Sequence, residues 1–228
     1  MDYTYEDIAK MIDHSLLNPK MTDTELIDGC KIAVKYNVAS ICIKPYYVKE
    51  TAELLKGSGV KTGTTIGFPH GGHTTAIKVA EAEQAMADGA EELDMVVNVG
   101  KVLSLDWDFA LNDVKAVVEA GHLGGAIVKV IFENCYLQDE HKIRLCGICG
   151  QVGADFVKTS TGYGDGGAMI DDLKLMRKYS PATVQVKAAG GIRTFNQVLE
   201  VRAVGVTRIG ATRTVDMLEE CKKRLGMK

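Results

Sequence analysis

The chain has 228 residues, of which 46% are hydrophobic and 25% charged, with a formal net charge of −3. That balance fits an ordinary globular protein with a sizeable core, and it excludes a nucleic-acid surface built on a basic block. No apolar run approaches the ~20 residues that a bilayer span needs. The acidic start, Met1-Asp2-Tyr3-Thr4-Tyr5-Glu6-Asp7, does not read as a signal peptide. Six cysteines (Cys30, Cys42, Cys135, Cys146, Cys149 and Cys221) sit inside apolar patterns rather than framing loops. They are expected to be reduced core thiols of a cytoplasmic protein.

In chain order, helical spacing at Leu26, Cys30, Ala33 and Val34 follows Thr22-Asp23-Thr24-Glu25, whose oxygens and charges suit a helix start. Residues 39–43 are too few for a helix and rich in β-branched side chains, so they predict a buried strand. A helix over 46–55 ends at Gly57 and Gly59, and a strand follows over 61–66. The alternation continues with helix 75–88 and strand 92–97, helix 106–120 and strand 126–131, then helix 139–151 and strand 155–158. A helix ahead of Pro181 leads to strand 183–187. A Thr194 cap opens the helix before strand 206–210, and a closing amphipathic helix carries Val215, Leu218 and Cys221. A weaker strand signal at 12–16 brings the count to eight.

Strict alternation of strand and helix requires parallel strands joined by crossovers. Eight units in one chain of this length fit a (β/α)8 TIM barrel forming a single domain over 1–228; an open doubly wound sheet is the alternative. A local echo favours the barrel. Gly89-Ala90 precedes Asp94, Gly153-Ala154 precedes Lys158, and Gly205-Val206 precedes Gly210, each glycine standing five residues before the strand's far end. Equal offsets place those far-end residues at equivalent positions on different strands.

Side chains alternate across a strand. If the β-branched faces meet the helices, then Asp94, Lys129, Lys158 and Lys187 point into the barrel. Lysines on adjacent strands about 4.8 Å apart depress each other's pKa, leaving one amine neutral enough for imine chemistry on a carbonyl substrate. The nucleophile is Lys158 or Lys187, and Asp94 accepts or relays protons. Lys129 reads rather as a solvent-facing or ion-paired residue, and a structural salt bridge from Asp94 to Lys129 or Lys187 is a rival reading. Cys42 shares the inward parity of its strand and borders the site as a buried thiol.

Glycine-rich loops follow three consecutive strands: Gly162-Tyr163-Gly164-Asp165-Gly166-Gly167 after Lys158-Thr159-Ser160-Thr161, Gly190-Gly191, and Gly210-Ala211-Thr212-Arg213. Their backbone amides can cradle a phosphate, with Thr159 and Thr212 adding hydroxyls, Lys129 charge and Arg213 a bidentate partner. His70 and His73 lack a nearby carboxylate or thiol and make a poor metal set. Cys146-Gly147-Ile148-Cys149 sits within a helix and reads as core, and Trp107 as ordinary packing.

With these residues in place, the chain resembles the deoxyribose-phosphate aldolase family along nearly its whole length. The resemblance is carried by 92–98 (ELDMVVN), 129–133 (KVIFE), 156–162 (FVKTSTG) and 186–193 (VKAAGGIR), supported by 66–69 (IGFP) and 208–210 (RIG). It implies a class I aldolase that cleaves 2-deoxyribose 5-phosphate to acetaldehyde and glyceraldehyde 3-phosphate without a metal or other cofactor. It assigns the Schiff base to Lys158, makes Lys187 the neighbour that keeps Lys158 deprotonated, and makes Asp94 a proton donor or acceptor acting through water. A homodimer is common among such proteins. The chain departs from the family pattern at Ala211-Thr212-Arg213, in the His70/His73 loop, and in ending Arg224-Leu225-Gly226-Met227-Lys228 without a terminal tyrosine. Those departures bear on which phosphorylated sugar is taken. A barrel that binds sugar phosphate without catalysis is the competing reading.

Overall fold

The computed structural model describes residues 2–227. Eight parallel strands close into a barrel in chain order: β1 Ile12–Leu16, β2 Ser40–Ile43, β3 Lys61–Ile66, β4 Glu92–Val96, β5 Ile127–Ile131, β6 Phe156–Lys158, β7 Gln185–Ala189 and β8 Arg208–Ala211. The main helices after successive strands are α2 Asp23–Tyr36, α3 Val48–Leu55, α4 Thr75–Ala87, α6 Trp107–Leu123, α7 Asp139–Val152, α8 Ile170–Tyr179, α9 Phe195–Ala203 and α10 Thr214–Arg224, with short α1 Tyr5–Ala9 and α5 Val99–Leu103 besides. This is the (β/α)8 barrel, not the open sheet.

The predicted elements stand within three residues of the observed ones, with informative exceptions. The strand predicted over 183–187 begins two residues later, because Val184 N–H closes a turn on the Pro181 carbonyl, and it runs past Lys187 to Ala189. The helix predicted from 46 opens as a 3-10 turn, Pro45–Tyr47. Both α1 and α5 have five residues, too few for periodicity to register. The weak signal at 12–16 is a full strand paired with β2 and β8, and so it closes the ring.

The outward faces of the strands, among them Leu93, Met95, Val128, Val130, Val157 and Val186, are buried against the helical shell. One charged pair lies in that shell. Lys78 Nζ sits 2.6 Å from Asp113 Oδ2 and donates to the Val96 carbonyl at 2.9 Å, while Thr75 donates to Asp113 Oδ1 at 2.7 Å. The pair ties α4 and α6 to the end of β4.

Strands in a closed barrel are staggered, so inward residues from alternate strands share a layer. The observed registers, with one residue of advance per strand, put Cys42, Asp94, Lys158 and Gly210 in one layer from the even strands. Beneath it lie Asp13, Gly63, Lys129 and Lys187 from the odd strands, and beneath those Ser40, Glu92, Phe156 and Arg208 form a floor. The repeated offset in the sequence is therefore the layer itself. It extends to β2, where Asn37 replaces the glycine: Asn37, Gly89, Gly153 and Gly205 all have positive φ (52°, 103°, 73° and 89°). Each turns the chain from a helix end into the next even strand.

Candidate active site

Asp94 is the hub. Its Oδ2 accepts from Lys158 Nζ at 2.6 Å and from Lys187 Nζ at 2.7 Å, and its Oδ1 accepts from Lys129 Nζ at 2.7 Å. Lys187 also reaches Asp13 Oδ2 at 2.5 Å. Lys129 adds Glu92 Oε2 at 2.7 Å and Asp13 Oδ2 at 3.3 Å. Arg208 Nη1 closes the network below, 2.6 Å from Asp13 Oδ1 and 3.0 Å from Glu92 Oε2, with its guanidinium 5.4 Å over the Phe156 ring. Ser40 donates to Asp13 Oδ1 at 2.7 Å. All four sequence-predicted interior groups are brought together. Asp13, Glu92 and Arg208 join them without having been singled out, although strand parity carried the signal: each lies two residues before Ser15, Asp94 or Gly210 on the same face.

The lysines differ in how many carboxylates they touch. Lys129 touches three, Lys187 two and Lys158 one, and Lys158 shares that one oxygen with Lys187. Burial opposes the charge on all three. On Lys129 and Lys187 the facing carboxylates, led by Asp13 and Asp94, outweigh it and hold the amines above the usual lysine range. On Lys158 burial wins: assisted by the Lys187 charge and resisted by Asp94, it pushes the amine below that range. Asp94 moves the other way from what its own burial favours, because the lysines facing it, Lys129 first, hold its carboxyl well below the usual carboxylate range. Burial and the Asp94 charge push the Cys42 thiol up to about 11, so a neutral Sγ sits 4.0 Å from Asp94 Oδ2.

Lys158 is also the lysine that opens on a cavity. About 590 Å³ lies at the C-terminal rim, bounded by Lys158, by Thr161-Gly162-Tyr163 after β6, by Gly190-Gly191-Ile192-Arg193 after β7, and by Gly210-Ala211-Thr212 at the end of β8. The three glycine-rich loops thus converge as expected. The end of β1 and the loop after it contribute a further wall, from Ser15 to Pro19, which the sequence did not single out. Gly210 is where the Lys158 layer lacks a side chain, and a Cβ there would sit 3.6 Å from Lys187 Cε and 3.3 Å from Ala189 Cβ. Positive φ at Gly162, Gly190 and Gly191 (87°, 78° and 85°) bends two of the loops over the opening.

Four expected ligand residues are placed elsewhere. Arg213 stands at the start of α10, largely exposed, with Nη1 3.3 Å from Asp216 Oδ2, because the chain turns outward after Thr212; Arg193 is the arginine on the cavity wall. Lys129 lies a layer lower within the ionic network, Cys42 sits beside Asp94 without lining the cavity, and Thr159 is locked against the Ala189 backbone, donating to its carbonyl and accepting from its N–H, each at 3.1 Å. His73 lies 3.9 Å from Glu81, and His70 borders a separate cavity of about 130 Å³ beside Glu133 and Tyr163. Among the described residues no three His, Cys, Asp or Glu side chains gather as a metal site. Five cysteines are buried as expected; Cys135, on a 3-10 turn after β5, is exposed. No helix of the described residues is long and apolar enough to cross a membrane.

Fold and site together define a (β/α)8-barrel lyase of the aldolase kind. The chain belongs to the DeoC/LacD aldolase family, whose family model matches residues 8–217. It is 62% identical to a deoxyribose-phosphate aldolase from Rhodopirellula baltica over 226 residues, covering 99% of this chain and 94% of that one. It is 47% identical to a deoxyribose-phosphate aldolase from Thermococcus gammatolerans, covering 93% and 96%. Among solved structures, the tetrameric deoxyribose phosphate aldolase from Aeropyrum pernix superposes with a TM-score of 0.89 at 32% identity, over 97% of this chain and 93% of that one.

Proposed function

We propose that this protein is a deoxyribose-phosphate aldolase with Lys158 as its imine-forming residue. One observation carries the assignment: Lys158 has the fewest carboxylate partners of the three lysines inside the barrel and is the one that lines the cavity. Its free amine attacks the aldehyde carbon of 2-deoxyribose 5-phosphate, and loss of water from the carbinolamine leaves a protonated imine. Cleavage of the C2–C3 bond sends its electron pair toward the iminium nitrogen. Glyceraldehyde 3-phosphate leaves as the C3 hydroxyl gives up its proton. The remaining enamine takes a proton on carbon, and hydrolysis releases acetaldehyde and the amine. Lys187 keeps its charge and so disfavours a second charge on Lys158. Asp94, whose Oδ2 meets both amines, holds them in register and passes protons through water.

The Gly190-Gly191 turn, Gly162 and Thr212 supply backbone and hydroxyl donors for the phosphate, and Arg193 supplies the cation that Arg213 was expected to give. A non-catalytic binding barrel has no use for a lysine whose charge is disfavoured at the wall of its cavity. The homodimer remains a proposal that light scattering tests. For the chemistry, borohydride reduction in the presence of acetaldehyde should leave one stable adduct, mapped by peptide mass to Lys158. An adduct on Lys187 instead would reverse the roles, and no adduct with any carbonyl compound would favour simple binding. Lys158→Arg is expected to lose turnover by roughly 10³-fold or more, while equilibrium dialysis still detects binding of the sugar phosphate.

A further inference from the structure

The interior beneath the cavity holds four basic side chains, Lys129, Lys158, Lys187 and Arg208, against three carboxylates, Asp13, Glu92 and Asp94. With every group ionised the closed barrel carries one positive charge too many. A surplus charge away from water is costly, and it is shed by whichever group holds its proton least well. A guanidinium does not release its proton in a protein. Lys129 and Lys187 each touch two or more carboxylates, and Lys158 touches a single shared oxygen. The surplus therefore falls on Lys158.

Arg208 is the group that creates it. Without Arg208 three lysines would face three carboxylates, and Lys158 would complete the balance as a cation. Arg208 does not line the cavity. It lies on the floor, two layers below Lys158, with 14% of its side chain exposed, held by Asp13, Glu92 and the face of Phe156. Glu92 Oε1 also accepts from it, at 3.2 Å. We propose that Arg208, seated by Glu92, is a positioning residue for the reaction: its permanent charge leaves the interior one cation in excess and so keeps Lys158 a free amine. The inference rests on the assignment of Lys158 as the imine-forming residue. It adds to the neighbouring lysine a second and remote source of the amine's neutrality.

The groups that face Lys158 limit what else could set its titration. Asp94 comes from β4, Lys187 from β7 and the Cys42 thiol from β2, with Lys129 and Asp13 in the layer below. Glu25 and Arg193 stand on the cavity wall above. Arg208 and Glu92, below these groups, form an oppositely charged pair that can be removed without touching the cavity or the carboxylate that Lys158 contacts.

The test follows the rate of imine trapping by acetaldehyde and cyanoborohydride from pH 5 to 10, with the adduct mapped to Lys158. A unit charge about 10 Å away, at an effective dielectric constant of about 20, moves a titration by about one pH unit. Arg208→Met is expected to raise the midpoint by about that much and slow trapping at pH 6 by about 10-fold. Glu92→Gln is expected to lower the midpoint, and the Arg208→Met/Glu92→Gln double variant to return it close to that of the unsubstituted protein. A purely structural role for Arg208 predicts otherwise: both single variants lose adduct with the midpoint unmoved, or shift it in the same direction. Either result overturns the proposal, as does a double variant that fails to restore the profile. Should Arg208→Met not fold, the Glu92→Gln profile decides alone, a downward shift supporting the proposal and any other refuting it. Absence of a Lys158 adduct in the unsubstituted protein is a separate outcome, and it removes the imine assignment on which the proposal stands.

Discussion

At the scale of single residues, the site is shaped as much by a missing side chain as by those present. Gly210 belongs to the same layer as Asp94 and Lys158, and its missing side chain leaves room on the wall of the cavity that Lys158 also lines. Its φ is not in the left-handed region, so another residue fits the backbone. Gly210→Val is thus expected to fold with normal circular dichroism and to lower kcat/KM by about 100-fold, since a misplacement of about 1 Å near reacting atoms costs that much. Retention of full activity would mean that the substrate approaches Lys158 from elsewhere. Residue by residue, the inward lysines and Asp94 were legible from strand parity, and the choice of Lys158 required the resemblance. The structure offers a physical criterion for that choice, the number of carboxylates each amine touches. The count depends on Asp13 and Glu92 as well as on Asp94. Those two residues sit near strand starts, where an acid ordinarily faces solvent, and only the staggering of the closed barrel brings them under the lysines. Arg213 stands off the cavity wall for a related reason: nothing in the local sequence tells that its side chain pairs with Asp216 at the start of α10.

At the scale of elements, β4 carries the hub and is held from outside by a buried ion pair. Lys78 and Asp113 are both essentially inaccessible, and Lys78 donates to the Val96 carbonyl two residues beyond Asp94. Removing one partner of such a pair leaves an uncompensated charge and typically costs about 3–5 kcal/mol, whereas replacing both with apolar groups is often neutral. Lys78→Met is accordingly expected to lower stability by about that amount in urea titrations. Lys78→Met/Asp113→Leu should recover most of the loss, and a double variant no better than the single one would count against the pair's isolation. This pair was not read from the sequence, because Lys78 lies on a helix whose other charged residues look solvated. The alternation of helices and strands was legible throughout, since periods of 3.6 and 2 survive in any context. Short α1 and α5 escaped, being held by caps and packing rather than by a pattern long enough to count.

At the scale of the whole molecule, the ionic interior couples folding to pH. Asp13 and Asp94 titrate well below their unfolded values because buried lysines, and for Asp13 also Arg208, face them. A depressed carboxylate contributes stability that is complete above its unfolded value of about 3.9 and is lost as pH falls toward the folded one. Lys129 and Lys187, raised in the folded protein, contribute stability that is complete below about 10.4 and is lost as pH climbs toward their folded values. Urea midpoints are therefore expected to fall steeply below about pH 4, and less steeply in Asp13→Asn. Equal slopes for the two proteins would show that Asp13 is not among the groups responsible. The charged interior also alters how the fold responds to temperature. In most barrels of this architecture the central layers are branched apolar side chains, whose exposure to water on unfolding raises the heat capacity, while exposure of polar groups lowers it. With seven ionisable side chains where aliphatic ones usually stand, this protein is expected to unfold with a smaller heat-capacity increment than its size implies, which calorimetry checks. Its curve of stability against temperature is correspondingly shallow, so the barrel weakens gradually on cooling as well as on warming.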